Sequence, residues 1–412
     1  MERRVVVTGY GAVSPVGIGV PSFWDALIKG KSGITRITQF DPERFDSKIA
    51  GEAKDFVTPS FILPKDVRRT PRFVQFALKA CEEAILQSKL DLKSIDPYRT
   101  GVIIGSGIGC LQIVESECFK YLQKGPDKIS PFLIPSLITN EAAGAVAIHF
   151  GLKGINFCTV TACASGAHAI GEAYSAVKYG RADVIVCGGA EASITPMGVG
   201  GFCALKALSK RNDEPLRACR PFDRDRDGFI MAEGSGVIVL EEYEHAKKRN
   251  APIFAEVGGY GATCDAYHIT APDPEAIGPA KAMEFALSEA GIGVSGDIYI
   301  NAHGTSTQLN DATETLAVKR VFGGLAKEVS ISSTKSMTGH MLGAAGAVEF
   351  IVACLVVKNK IIPPTINYEN PDPACDLDYT PNIARERNVK VAISNSLGFG
   401  GHNASLLVKE FK

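Results

Sequence analysis

The chain repeats itself, and this constrains its fold more than any other feature. Val7-Thr8-Gly9-Tyr10-Gly11-Ala12 returns as Val257-Gly258-Gly259-Tyr260-Gly261-Ala262, each copy closing a β-rich run with glycines suited to a tight turn. Three further parallels follow in the same order. Residues 102–104, ending in Gly105-Ser106-Gly107, match 298–300, ending in Asn301-Ala302-His303-Gly304. The strand, turn and helix around Cys163 match residues 329–333, the turn 335–339 and a helix over 345–358. Residues 184–187 with Gly188-Gly189 match 391–394 and the glycines beyond them. One short match would be cheap, but four in order predict an internal duplication with halves 1–250 and 251–412. Strands alternating with helices imply parallel pairing through right-handed crossovers, hence a layered α/β architecture. Strand ends and helix starts of the two halves would then meet, which is where a site is expected. No Gly/Ser-rich linker divides the halves, so they are expected to pack as one body.

A chain of 412 residues can bury a large core and would ordinarily suggest two or three domains. Its 22% charged residues and net charge of −1 argue against a broad nucleic-acid-binding surface. No run reads as a membrane span, and Met1-Glu2-Arg3-Arg4 passes directly into strand-like Val5-Val6-Val7, so neither a membrane segment nor a leader is expected. Eleven cysteines, with no Cys-x-x-Cys, predict free thiols in a reducing cytoplasm, without disulfides or structural zinc.

Cys163 stands apart from the other ten. It lies in Val160-Thr161-Ala162-Cys163-Ala164-Ser165-Gly166, where a strand expected over 155–160 gives way to a helix expected over 166–179. A thiol at a helix N-terminus faces free backbone N–H groups and the positive end of the macrodipole, which favours thiolate. Its small neighbours leave room for a bulky thioester. Two motifs that imitate other chemistry fail on inspection. Gly9-x-Gly11 follows a strand, but Ser14 stands where a dinucleotide fingerprint needs its third glycine. In Asp223-Arg224-Asp225-Arg226-Asp227-Gly228, arginines interleave the acids and Glu233 falls one position short of a calcium loop's last ligand, so an ion-paired turn is expected.

Of seven histidines, two share the setting of Cys163. His303, in Asn301-Ala302-His303-Gly304-Thr305-Ser306-Thr307, follows an apolar strand, and His340, in Lys335-Ser336-Met337-Thr338-Gly339-His340, precedes a helix. His402, in Phe399-Gly400-Gly401-His402-Asn403, competes with them, whereas His149, His168, His245 and His268 read as structural.

Thr161-Ala162-Cys163-Ala164-Ser165-Gly166, the His303 and His340 motifs and Asn395-Ser396-Leu397-Gly398-Phe399-Gly400-Gly401 together resemble the β-ketoacyl-[acyl carrier protein] synthases of the thiolase superfamily, nearest to the type II elongating enzymes. The resemblance runs from Val5 to the C-terminus. It implies the duplicated five-layer α-β-α-β-α fold, in agreement with the repeat, and a decarboxylative Claisen condensation in fatty acid elongation. Cys163 would carry the acyl chain as a thioester, with no adjacent base needed if the helix end already favours thiolate. His303 and His340, as neutral imidazoles, would donate to the enolate left by a malonyl thioester. Whether His303 also activates a water is left open. Backbone N–H groups of Cys163 and Phe399 would hold the tetrahedral oxyanion, and Phe399, on a glycine-rich turn, would act as a gate.

By the same resemblance Lys335 supports the active-site network and pairs with Glu349, while Asp311 and Glu314 are supporting acids. Thr270, Thr305 and Thr307 would bind the pantetheine arm, which enters as part of the carrier substrate, so no separate cofactor is implied. Ile108 and Phe202 would line the acyl tunnel, with Ile134 contributed by a second subunit of a homodimer. Lys65, Arg68, Arg69, Arg72 and Lys206 would dock an acidic acyl carrier protein, making association salt-sensitive. A monovalent cation near Asn301, Ala302, Glu349, Ser394 and Asn395 is implied by resemblance alone; no other metal is. A thiolase would need a second cysteine in the C-terminal glycine motif, and the initiating-synthase and chalcone-synthase branches use Cys-His-Asn rather than Cys-His-His. A silent chain-length partner would lack the cysteine. A polyketide ketosynthase subunit with all three residues stays open.

Overall fold

The computed structural model describes residues 3–412. Ten strands carry the architecture: β1 (Val5–Ser14), β2 (Thr100–Gly105), β3 (Asn156–Phe157), β4 (Val184–Glu191) and β5 (Gly234–Glu242), then β6 (Ala255–Cys264), β7 (Tyr299–Asn301), β8 (Ser330–Ser332), β9 (Val391–Gly398) and β10 (His402–Lys409). Read outward from the centre, the first five run β1-β5-β4-β2-β3 and the last five run β6-β10-β9-β7-β8. Each strand thus has a twin five places later. Pairing sense repeats as well: β1/β5 and β6/β10 are antiparallel, as are β4/β5 and β9/β10. The outer pairs β2/β4, β2/β3, β7/β9 and β7/β8 are all parallel. A short antiparallel ladder, Val5–Val7 of β1 against Ala255–Val257 of β6, joins the two runs into one continuous sheet.

Five helices complete the layers: α1 (Arg72–Ser88), α2 (Ser165–Lys178), α3 (Ile277–Glu289), α4 (Gln308–Phe322) and α5 (Ala345–Asn359). α1 covers the outer face of β1, β5 and β4, and α3 the outer face of β6 and β10. α2 and α5 pack on each other and on strands from both runs, so they form the middle layer. That position explains their composition. α5 is buried from Ala345 through Val357, and a helix apolar all round belongs inside a core. With the turn before it, Leu342–Asn359 is in fact long and apolar enough to span a membrane, contrary to the reading of the sequence. It is 89% buried within the protein, as a central core helix must be.

The repeated glycines have a packing reason. A Cβ on Gly11 of β1 would lie 2.0 Å from the Ala80 carbonyl oxygen of α1, and one on Gly261 of β6 would lie 1.9 Å from that of Ala282 of α3. Gly-x-Gly is therefore the point of closest helix approach in each half, which accounts for the false dinucleotide signal. Other local expectations shift slightly. The helix after Cys163 runs Ser165–Lys178, and the strand expected over 155–160 is only Asn156–Phe157. Beyond Phe157 one backbone bond to the neighbouring segment remains, from the Ser106 N–H to the Thr159 carbonyl at 3.2 Å, and the Thr161 N–H is taken instead by the Ser165 hydroxyl at 2.9 Å, a local bond that competes with strand pairing.

Gly261→Ala should lower stability by about 3 kcal/mol in urea titrations, because the methyl meets backbone that cannot yield. Gly293→Ala, whose added carbon meets nothing within 4 Å, should stay within about 0.5 kcal/mol of the parent.

Candidate active site

Cys163 sits on a short 3-10 turn, Ala162–Ala164, that leads into α2. The preceding residue, Ala162, holds φ at 50°, a left-handed conformation that costs a non-glycine residue roughly 1–2 kcal/mol. Ser165 locks the turn, donating to the Ala162 carbonyl at 2.6 Å while accepting from Thr161. His303 follows β7 and His340 follows the short helix Lys335–Thr338, so both come from the second half. The sulfur of Cys163 and one ring nitrogen from each histidine lie within 4.8 Å of one another. His402 is outside this group; its ring stacks edgewise on His168, 6.4 Å between centroids.

The three residues form the floor of a cavity of about 500 Å³. Ile108, Phe202, Thr270, Thr305, Thr307 and Phe399 all line it, as does Lys206 near its rim. Ile134 does not; it stands exposed on the helix Leu133–Leu137. Aromatic edges fix the rings in place. Phe202 meets Phe229 at 5.2 Å, Phe229 meets His340 at 5.4 Å, and the two histidines meet at 5.2 Å, all near perpendicular. Phe229 and Leu342 were not anticipated from the sequence.

Beneath the cavity, carboxylates hold the His303 loop. Glu314 accepts the N–H groups of His303 and Gly304, both at 2.8 Å, and Asp311 accepts those of Thr305 and Phe222. Arg226, from the false calcium loop, lies 3.6 Å from Asp311 and donates to the carbonyls of Thr307 and Gln308. That loop is the ion-paired turn expected, and it braces the site. Lys335 is buried and meets Glu349 at 2.5 Å. Around this pair, Asn301 Oδ1, Glu349 Oε2 and Ser394 Oγ are buried with no hydrogen-bond partner among the described residues. Asn301 and Ser394 are register neighbours on β7 and β9. Unsatisfied oxygens of this kind suit a small monovalent cation, with the Ala302 carbonyl and Asn395 close by in sequence.

Electrostatics correct one expectation. Burial pushes the Cys163 thiol up to about 12, against the downward pull of the Lys335 ammonium, and the Glu191 carboxylate pushes it further up. The backbone N–H groups of Phe399 and Cys163, the pair expected to hold an oxyanion, act on the thiol in the downward direction. Desolvation therefore outweighs the helix end, and the resting group is a thiol. Burial, then Lys335, hold both His303 and His340 well below the usual imidazole range, so each is neutral with one N–H. A cysteine beside two neutral imidazoles is also a metal-ligand set, but the largely apolar cavity it opens into suits an acyl chain.

The glycine-rich turn carrying Phe399 is tied to the loop carrying Thr270. The Gly400 N–H donates to the Ile269 carbonyl at 2.8 Å, the Asp265 N–H to the Gly401 carbonyl at 2.9 Å, and Asn403 to Asp265 at 2.7 Å. Of the basic cluster, Lys65, Arg68 and Arg69 are exposed. Arg72 is not available for docking: it forms a bidentate pair with the fully buried Glu233, at 2.9 and 2.7 Å, and its guanidinium lies over Phe76. All eleven cysteines are free among the described residues.

A duplicated α/β scaffold that aims a cysteine and two neutral imidazoles into a thioester-sized cavity defines a thiol-dependent acyltransferase. Comparison with known proteins gives the family. Residues 2–246 match the beta-ketoacyl synthase N-terminal domain and residues 254–369 the C-terminal domain, so the chain belongs to the beta-ketoacyl synthase family. Among curated relatives, it is 49% identical to a 3-oxoacyl-[acyl-carrier-protein] synthase 2 of Synechocystis sp., covering 100% of this chain and 99% of the relative. It is 50% identical to the like-named protein of Coxiella burnetii, covering 99% and 98%. Among solved structures, a type II polyketide ketosynthase in complex with its acyl-carrier protein matches at 39% identity and TM-score 0.91, and a beta-ketoacyl synthase from Burkholderia phymatum at 34% and 0.92, each covering 100% of both chains.

Replacing His340 by Ala removes a donor aimed into the cavity and should lower kcat about 10²–10³-fold, whereas His402→Ala should lose less than about tenfold. Comparable losses in steady-state condensation assays would reassign the second histidine.

Proposed function

We propose that the protein elongates acyl chains by decarboxylative condensation, joining an acyl group held on Cys163 to malonyl-[acyl carrier protein] and releasing 3-oxoacyl-[acyl carrier protein]. The observation that carries this reading is the cavity floor, where one sulfur and two imidazole nitrogens lie within 4.8 Å of one another. Because the thiol is protonated at rest, a neutral imidazole takes its proton as the sulfur attacks the incoming thioester, and returns it to the departing pantetheine thiolate. The malonyl thioester then loses carbon dioxide, and its enolate oxygen receives N–H groups from His303 and His340. The carbanion attacks the acyl carbonyl, the tetrahedral oxyanion rests on the N–H groups of Cys163 and Phe399, and the Cys163 thiolate leaves and is reprotonated. Relatives near 50% identity over the full chain carry the 3-oxoacyl synthase name, which favours elongation over the polyketide reading drawn from a structure at 39%.

The finer assignments rest on surface and composition. Thr270, Thr305 and Thr307 offer hydroxyls or backbone groups along the cavity to the pantetheine arm. Lys65, Arg68, Arg69 and Lys206 are the exposed cations that would meet an acidic carrier, Arg72 being engaged with Glu233. Both residues of edge strand β3 are exposed, with Phe157, Val160 and Ile134 presenting apolar surface nearby in the fold's first half, which supports a homodimer formed across that edge. Free thiols throughout suit the cytoplasm.

Mass spectrometry after mixing with an acyl carrier should show the acyl mass on Cys163, discharged as 3-oxoacyl product when malonyl carrier is added, and no adduct on Cys163→Ala. Acylation by carrier should slow with added salt, while the same acyl group on free pantetheine should be salt-insensitive; equal salt dependence would remove the docking patch. Iterated, unreduced products would favour the polyketide reading. Sedimentation should give twice the chain mass, and Val160→Asp should shift it toward one; a monomeric parent would sink the dimer.

A further inference from the structure

The duplication makes a prediction about the half that has no nucleophile. The turn Leu342–Ala344 before α5 is the twin of Ala162–Ala164 before α2, down to the left-handed residue that opens it, Leu342 at φ 47° and Ala162 at φ 50°. Gly343 is therefore the counterpart of Cys163. The strands β4 and β9 are twins of equal length, and their last residues are Glu191 and Gly398. Each strand end covers the turn of the opposite half. At Gly398 there is no side chain: an added Cβ would lie 2.8 Å from the Thr161 carbonyl oxygen and 3.3 Å from the Cys163 and Ala164 nitrogens, against the nucleophile's turn. At Glu191 the space is filled: Oε2 accepts the N–H of Gly343 at 3.2 Å and that of Gly107 at 2.7 Å, while Oε1 accepts the hydroxyls of Ser193 at 3.0 Å and Ser106 at 3.3 Å.

We propose that Glu191 is a positioning residue for the condensation: its carboxylate occupies, in the second half, the anion pocket that in the first half receives the thioester oxygen, and so fixes both turns flanking Cys163. The two N–H donors it gathers belong to residues adjacent to Ile108 and Leu342, which line the cavity beside Cys163. Glu191 ties those walls together across the two halves. There is no slack at this junction, since a Cβ on Gly343 would lie 2.3 Å from the Gly107 nitrogen and 2.8 Å from Oε2. The same carboxylate faces the nucleophile electrostatically. Glu191 raises the Cys163 thiol while Lys335 lowers it, and the remaining titratable neighbours are Cys158 and the two neutral imidazoles. Burial holds Glu191 itself at about 7, against its four donors, so it is charged above neutral pH.

This role rests on the condensation reading, but one arm of its test does not. Gln at 191 can accept both N–H groups through its carbonyl and donate to both serine hydroxyls, so it keeps the geometry and removes the charge; Ala removes both. Condensation by Glu191→Ala should fall about 10²-fold in kcat with little change in KM for the carrier, and Glu191→Gln should recover most of that loss. Separately, alkylation of Cys163 by iodoacetamide, which needs no acyl substrate, should be severalfold faster at pH 8 in Glu191→Gln, because removing a facing negative charge lowers the thiol pKa. An Ala variant that condenses like the parent, or a Gln variant as inactive as Ala with unchanged alkylation, would overturn the proposal. If the Ala variant does not fold, Glu191→Gln decides: kcat near that of the parent keeps the proposal, and a loss of about 10²-fold overturns it. Loss of the condensation reading would show instead as a parent enzyme that is alkylated at Cys163 yet never acylated.

Discussion

Burial sets the protonation of the site, and one enclosed ammonium is the charge that acts on all three of its reactive groups. Lys335 is fully enclosed and paired with Glu349 at 2.5 Å, joining the segment that delivers His340 to the central helix α5. Burying such a pair is expensive in desolvation and is weak evidence of a stabilising device, so its retention points to what the charge does locally. It pulls the Cys163 thiol down, and it adds to the larger effect of burial in keeping both imidazoles unprotonated, as N–H donors and proton acceptors. The cation and burial act in the same direction on two rings 5.2 Å apart, and only an unprotonated imidazole can take a thiol proton.

The duplication explains why this chemistry needs both halves. The middle layer places the starts of α2 and α5 close together, and each start is a strained turn covered by a strand end from the other half. Symmetry would have given two equivalent sites. It is broken at two pairs of positions: Cys163 against Gly343, and Gly398 against Glu191. One pocket is thereby open to a substrate oxygen, and the other is closed by a built-in carboxylate. The longer segment between β8 and its turn, residues 333–341, then has room to carry Lys335 and His340, for which the first half has no counterpart.

Much of this was legible because glycine, cysteine and histidine in turns carry position-specific meaning. The order of four repeats was enough to foresee the architecture, and Cys163, His303 and His340 could be singled out by the local punctuation around them. What the sequence hid depends on partners far along the chain. Arg72 reads as one of the docking cations because Glu233, which holds it, lies 161 residues away. Glu191 sits at the end of an apolar strand, and three of its four donors, Ser106, Gly107 and Gly343, come from two distant loops. The strand expected over 155–160 is shorter in the structure, and side-chain capping by Ser165 is invisible to a propensity argument.

The thiol shows most clearly where a local rule fails. A helix N-terminus favours thiolate through dipoles within one turn, but the cavity that makes room for an acyl chain also removes water from the sulfur, and desolvation acts on the whole charge. A resting thiol is protected from oxidation and indiscriminate alkylation, since the thiolate is the reactive form. Reactivity then requires the proton to move to an imidazole at the moment a thioester arrives, which creates an ion pair in a dry site instead of a lone anion. Nucleophile and acceptor are thus chosen together: a neutral histidine within reach is what allows a buried cysteine to be both quiet and competent.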